Sequence, residues 1–173
     1  AGNSGTVIAN VFAPRLANLV GWHNVFGLAM LPLTAVLLLF SLLAKDAPAS
    51  VVRRPASHYF TVMKQADIWW FCLFYCVTFG GYVGLSSFLP LFLRDHYGVT
   101  PVMAGSLTAL AALVGSGVRP IGGYLADRIG GVRLLLFLLL SIGLTYAAAA
   151  RLPTLLVMES LLIFGMVSLG MGN

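Results

Sequence analysis

Six stretches of about twenty residues, each almost without charge, dictate what this chain can fold into. They run from Ala1 to about Val20, from about Asn24 to Ala44, from about Ile68 to Leu91, from about Val102 to Leu125, from about Leu134 to Ala150, and from Pro153 to the end. A bilayer core takes about 20 apolar residues of α-helix to cross. No water is available there for an unpaired backbone group, so the spans are helical. The expected fold is therefore an all-α polytopic membrane protein with about six transmembrane helices. Composition agrees. The chain is 60% hydrophobic and 9% charged, against about 25% charged in a soluble domain. Nucleic-acid binding would need Lys and Arg clustered on a soluble face. Here the cations sit mainly in short connections, so the expected partner is the lipid bilayer, with no nucleic acid.

The connections give the topology. Lys45, Arg53, Arg54 and Lys64 lie between the second and third stretches, and Arg128 and Arg133 between the fourth and fifth. The opposite side has Arg94 and Arg151. Six cations against two places 45–66 and 126–133 in the cytoplasm by the positive-inside rule. The connection 45–66 carries Pro48 and Pro55 and has the composition of a linker between two bundles. It divides the chain into 1–44, 45–66 and 67–173. Asp67 is the expected N-cap of the third helix, and Trp69 and Trp70 fall at its interfacial end. The chain opens and closes inside apolar patterns, which is what an internal piece of a larger protein would show.

Two cations lie inside the stretches, and Arg15, about five residues from the outer end of the first, can snorkel outward and is given no site role. Arg119 stands within the fourth stretch, eight residues before Asp127, or about 12 Å along a helix. Snorkelling covers only part of that distance. A cation inside a span costs a few kcal/mol on insertion scales and marks a functional position. Pro120 follows and loosens the helix ladder there. A planar guanidinium suits a small oxyanion or carboxylate, while a structural ion pair inside the bundle would account for it as well.

Other residues are weaker candidates. Tyr75 and Phe79 are four apart on one helical face, where they can flank a planar anion or simply pack. Glu159 lies about six residues into the last stretch. It is expected to pair with Arg151 or to sit exposed at the interface, with proton coupling as the other possibility. Cys72 and Cys76 are expected as buried thiols rather than a disulfide or metal site. Gly80, Gly81 and Gly84 interrupt the third stretch and Gly115, Gly117, Gly122 and Gly123 line the fourth. They suit close helix approach or local unwinding. No His, Asp or Glu cluster has catalytic spacing, so an enzyme is not expected, nor a metal or other cofactor.

Gly123-Tyr-Leu-Ala-Asp127-Arg128-Ile-Gly130-Gly131-Val-Arg133 joins two apolar stretches and resembles the loop motif G-x-x-x-D-R-x-G-x-x-R of the major facilitator superfamily. Independently of the resemblance, Gly130 and Gly131 suit a tight turn. Asp127 at a helix end can face the positive N-terminus of a neighbouring helix. Ala1-Gly2-Asn3-Ser4-Gly5 is similar to the tail of the nitrate signature A-G-x-G-N-x-G of nitrate/nitrite porters. Thr78-Phe79-Gly80-Gly81-Tyr82-Val83-Gly84, Gly117-Val118-Arg119-Pro120-Ile121-Gly122-Gly123 and Gly170-Met171-Gly172-Asn173 also resemble stretches of that subfamily. The resemblance covers the whole chain. It implies helices five to ten of a twelve-helix bundle, with 45–66 joining the two halves.

The resemblance further implies a secondary transporter of nitrate and nitrite working by alternating access, by exchange or with protons. Arg119, Asn3, Tyr75 and Phe79 would line the substrate cavity, and Gly123, Asp127, Arg128, Gly130 and Arg133 would form the gating loop. The setting would be a bacterial inner membrane, and the full-length protein a monomer. A superfamily porter for another organic anion or drug, and a membrane sensor or scaffold that moves nothing, are the other function classes open to such a sequence.

Overall fold

The computed structural model describes residues 2–45, 60, 62–151 and 153–173. The described elements are helical. In chain order they are α1 (Gly2–Val20), α2 (Trp22–Leu43), α3 (Ala66–Tyr75), a π-helical turn (Cys76–Gly80), α4 (Gly81–Tyr97), α5 (Pro101–Gly117), α6 (Arg119–Ile129), α7 (Gly131–Ala149) and α8 (Leu155–Met171). Four stretches are long and apolar enough to cross a membrane: Trp22–Leu43, Ala66–Tyr97, Pro101–Ile129 and Gly131–Ala149. Leu155–Met171 is apolar but shorter, at 17 residues.

Local chemistry explains the boundaries. Gly21 between α1 and α2, Gly98 after α4 and Gly130 between α6 and α7 have φ of +79°, +64° and +93°, which only glycine adopts without strain. Thr100 caps α5: its side chain accepts from the Met103 N–H at 3.3 Å, and Pro101 stands at the first helical position. Asp67 is not an N-cap. The helix starts one residue earlier, at Ala66, and Asp67 lies in its first turn, where a carboxylate still complements the helix dipole.

The chain forms two compact units, Arg15–Phe71 and a second made of Ala1–Pro14 with Cys72–Asn173. In the first, α2 has no buried residue. Large apolar side chains such as Leu37, Phe40 and Leu42 are exposed over most of their surface, as lipid contact requires. Trp69 Nε1 donates to the Met63 carbonyl at 3.0 Å. The expected linker 45–66 falls largely on 46–59 and 61, with Pro48, Arg53, Arg54 and Pro55. These lie outside the described residues.

The second unit holds the core. Leu89, Leu93, Ala104, Met158 and Leu162 pack together towards one end of α8. Tyr82, Ala111, Ala112, Ile142, Met166 and Leu169 pack towards the other. Glycine sets the helix spacing. A Cβ on Gly170 would run into the backbone of Gly115, and one on Gly115 would lie 2.6 Å from the Met166 carbonyl oxygen. One on Gly122 would lie 2.5 Å from that of Met171. So α5 and α6 touch α8 backbone to backbone, the close approach small residues permit in membranes. Gly117, Gly123, Gly80 and Gly84 face open space instead. The third stretch is not broken at its glycines. Its helix only widens into the π turn over Cys76–Gly80.

Two side-chain expectations fail. Cys72 and Cys76 are free but exposed rather than buried, because the lipid side of such a helix is as apolar as its packed side. Glu159 is neither paired nor exposed. It is buried, and both carboxyl oxygens lack a hydrogen-bond partner.

Candidate functional site

Val118 (φ −84°, ψ −5°) interrupts the helical stretch between α5 and α6. The cause is Pro120, which has no N–H to donate back to the Ser116 carbonyl. The ladder closes around the gap, with Val118 N–H to Val114 O at 3.2 Å and Gly122 N–H to Val118 O at 3.0 Å. Arg119 is the first residue of α6. Its Cζ lies over the Tyr82 ring, 5.5 Å from the centroid, within cation–π range. Its Nε and Nη2 are buried and have no hydrogen-bond partner. These two nitrogens form one edge of the guanidinium, with parallel N–H bonds, the edge that grips two oxygens of a carboxylate or planar oxyanion.

A hydrogen-bonded chain ties this arginine's surroundings to three helices. Asn3 Nδ2 on α1 donates to Ser116 Oγ on α5 at 3.0 Å. The Tyr82 hydroxyl on α4 donates to the Ala112 carbonyl at 2.6 Å. Ser116 Oγ lies 2.7 Å from the Tyr82 oxygen. With the tyrosine proton committed to Ala112, Ser116 is the donor in that pair, so each hydroxyl proton has an acceptor. Tyr82 is 1% exposed, so its ring is a fixed floor beneath Arg119.

The π turn ends at the same level. Thr78 Oγ1, buried in it, lies 2.9 Å from the Phe74 carbonyl and 3.2 Å from Asn173 Oδ1. Asn173 Nδ2 donates to the Leu169 carbonyl at 2.9 Å. A Cβ on Gly172 would lie 3.0 Å from Thr78 Cγ2. Thr78, Asn173, Ser116, Tyr82, Asn3 and Arg119 thus gather where the C-terminal end of α8 meets the π turn, α5 and α6. Tyr75 immediately precedes the π turn, Phe79 lies in it, and the two stack on each other, centroids 5.1 Å apart and planes 12° apart. The ring under Arg119 is Tyr82's, not theirs, and Tyr75 is 55% exposed.

Of the four residues expected in a cavity, the structure joins Asn3 to the surroundings of Arg119 through Ser116 and Tyr82. It puts Tyr75 and Phe79 side by side on the neighbouring helical turn. Sequence reasoning missed Tyr82, Ser116 and Thr78. Ser116 stands one helical turn before Arg119, and Tyr82 lies one π-widened stretch beyond Tyr75. That spacing was the available signal.

The loop motif is at the other end of α6. Gly130, at φ +93°, turns the chain into α7. Asp127, Arg128 and Arg133 are exposed, and Arg128 Cζ sits 4.9 Å from the Tyr124 ring centroid. Asp127 is not on a buried side. Among the described residues the ion pair is Arg94 with Asp95, at 2.7 Å. Gly123 faces open space.

The whole chain, residues 1–173, matches the Major Facilitator Superfamily. The chain belongs to that superfamily. It is thus an integral membrane protein of a transporter family, and its helical fold is a bundle of that type. It is 32% identical over 177 residues, covering all of this chain and 44% of the relative, to the "Nitrite extrusion protein" of Bacillus subtilis. It is 31% identical to the "Probable nitrate/nitrite transporter NarK2" of Mycobacterium tuberculosis, over 88% of this chain and 39% of the relative. It is 40% identical over 82 residues, 47% of this chain and 18% of the relative, to the "Probable nitrate/nitrite antiporter NarK1" of Thermus thermophilus. The chain spans less than half the length of these relatives. No solved structure gives a significant match.

Proposed function

We propose that this chain is part of a secondary transporter that moves nitrate and nitrite across a bacterial inner membrane by alternating access. The observation that carries this is the unpartnered Nε–Nη2 edge of Arg119, buried inside the second unit. A cation left bare in a low-dielectric interior is costly unless an anion visits it. A fork of two parallel N–H bonds on an aromatic floor fits two oxygens of a flat oxyanion. The names of the relatives supply the substrate class.

Arg119 is the anion ligand in this proposal. Asn3, one Nδ2 proton of which is held by Ser116, keeps its second proton for the substrate. Tyr75 and Phe79 form an aromatic wall beside the π turn, which gives the backbone room to adjust. Gly123, Asp127, Arg128, Gly130 and Arg133 are the gating loop, with 126–133 and 45–66 cytoplasmic. The divisions 1–44 and 67–173 belong to the two halves that rock about the site, in a protein that is monomeric when full length. One arginine gives the anion a partner at the midplane, so substrate binding and opening to either side are separable steps.

The test uses the full-length protein that carries this chain, reconstituted in liposomes. Nitrate uptake is recorded with nitrite inside, for the parent and for Arg119→Lys. Uptake in the parent that collapses in the variant supports the assignment, since Lys keeps the charge and loses the fork. Equal uptake in both makes Arg119 structural. Absence of nitrate flux in the parent points to another anion or drug, and absence of any flux to a non-transporting role.

A further inference from the structure

Arg119 is not the only buried charge without a partner. Glu159, in the second turn of α8, is 8% exposed, and neither carboxyl oxygen touches water or a hydrogen-bond partner. Gly170, which marks the level of the anion site, lies eleven residues further along α8. At 1.5 Å per residue that is about 16 Å, too far for Arg119 to serve as its counter-ion.

The elements packed against α8 bring no cation and no free donor to this level. α5 contains no ionisable residue. α7 contributes Tyr146, which is exposed, and Arg133 at its far end. On α4, Arg94 and Asp95 are exposed and paired with each other. His96, also exposed, stacks on the Phe92 ring, and the Tyr97 hydroxyl donates to the Pro153 carbonyl at 2.7 Å. Arg151, in the turn before α8, is exposed and makes no ion pair. The ionisable groups of α6 and of the π turn (Arg119, Tyr124, Asp127, Arg128, Cys76) belong to the opposite end of α8. The buried hydroxyls of α5 and α7 are committed too. Thr108 Oγ1 donates to Ala104 O at 2.9 Å and Thr145 Oγ1 to Ser141 O at 2.7 Å. Around Met158 and Leu162, which flank Glu159 in sequence, the packing is Leu89, Leu93 and Ala104.

An ionised carboxylate sealed in such packing would cost several kcal/mol with nothing to offset it. We propose that Glu159 is a proton-binding site that couples transport to protons. Buried without a partner, it carries its proton. When α8 is wetted during the cycle, the carboxyl O–H bond breaks, the proton passes to water, and the electron pair stays on the carboxylate. Resealing requires the proton back, so each closure takes one up. The proton site stands on the geometry alone. Its coupling to anion flux rests on the transport reading above.

Two arms test it on the full-length protein. In bilayers near neutral pH, the infrared spectrum of the parent minus that of Glu159→Gln should contain a carboxylic-acid C=O band assignable to Glu159. A carboxylate difference band in its place overturns the proton site. In liposomes, the ratio of nitrate uptake with acid outside to uptake at equal pH should be several-fold in the parent and fall to about one in Glu159→Gln, with Glu159→Asp recovering part of it. A ratio near one in the parent, or an undiminished ratio in Glu159→Gln, overturns the coupling. Should the parent carry no nitrate, the nitrate assignment fails, and the infrared arm still decides the proton site.

Discussion

The two ends of α8 each hold a charge that nothing in the described residues neutralises, and they are built differently. At the Arg119 end, polar groups from α1, α4 and α5 are chained together, a tyrosine ring lies beneath the guanidinium, and Asn173 and Thr78 close the same level. At the Glu159 end the core packed at the same level of α8 is leucine, methionine and alanine. A polar frame holds a charged group in one orientation for a ligand that arrives and leaves. An apolar frame holds a group only in its neutral form, which suits a proton. The small-residue contact of α5 with α8 lies at the Arg119 end, where Gly115 meets Gly170, and the same two helices continue from it to the Glu159 end.

The largest effect tests the polar end. Arg119→Lys should lower nitrate uptake by about two orders of magnitude, the loss of roughly 2–3 kcal/mol expected when a bidentate, charge-assisted grip becomes a point contact. Direct binding of nitrate to the detergent-solubilised protein should fall in parallel. A variant that binds as tightly as the parent would erase the difference between the two ends.

Next comes the contact that joins them. Gly170→Ala puts a methyl group into the backbone of Gly115, and α5 and α8 must separate. Overpacking of this kind costs about 1–3 kcal/mol. Gly123→Ala, which faces open space, should cost nothing and gain up to about 1 kcal/mol, the intrinsic helix preference for alanine over glycine. Thermal unfolding of the two variants side by side measures it, and equal midpoints would remove the glycine contact from the account.

A smaller effect isolates the frame. Tyr82→Phe keeps the ring under Arg119 but removes the hydroxyl that Ser116 donates to. Losing one neutral hydrogen bond is worth about 0.5–1.5 kcal/mol. The expected result is a several-fold rise in KM for nitrate with kcat little changed, and a smaller rise for Ser116→Ala. A purely structural role would lower the amount of folded protein and leave KM alone.

These residues show what a sequence of this kind makes legible. Four of the six expected spans were readable from hydropathy and length, whereas among the described residues α1 does not reach that standard and α8 is shorter, at 17 residues. Arg119 stood out because a cation too deep in an apolar stretch to snorkel is costly there. Gly130 was readable because the turn between two spans needs a positive φ. Tyr82 and Ser116 had only their spacing from Tyr75 and Arg119 as a signal, and their contact across 34 residues appears only once the helices are packed. Cys72, Cys76 and Glu159 were misjudged for one reason. Lipid is as apolar as a packed bundle, so periodicity does not say which side of a helix faces inward. Buried and exposed positions therefore looked alike until the helices were packed. Asp67 missed the cap position by two residues, the usual uncertainty of a helix start.

The smallest effect comes from a place among the described residues where the same two chemical groups have found each other. Arg94 and Asp95 form a 2.7 Å ion pair with side chains half exposed. Counting ion pairs would rank this the leading electrostatic feature of the described residues. Yet adjacent, wet charges on one helix end gain little, because water and salt screen them and ordering two side chains offsets the attraction. Arg94→Gln should change stability by less than about 1 kcal/mol. It should leave the KM for nitrate and the proton-gradient ratio at parental values, in the same liposomes in which Arg119→Lys and Glu159→Gln do not. A large effect at Arg94 would mean that pairing, rather than burial without a partner, marks the charges this bundle uses, and the contrast between the two ends of α8 would lose its meaning.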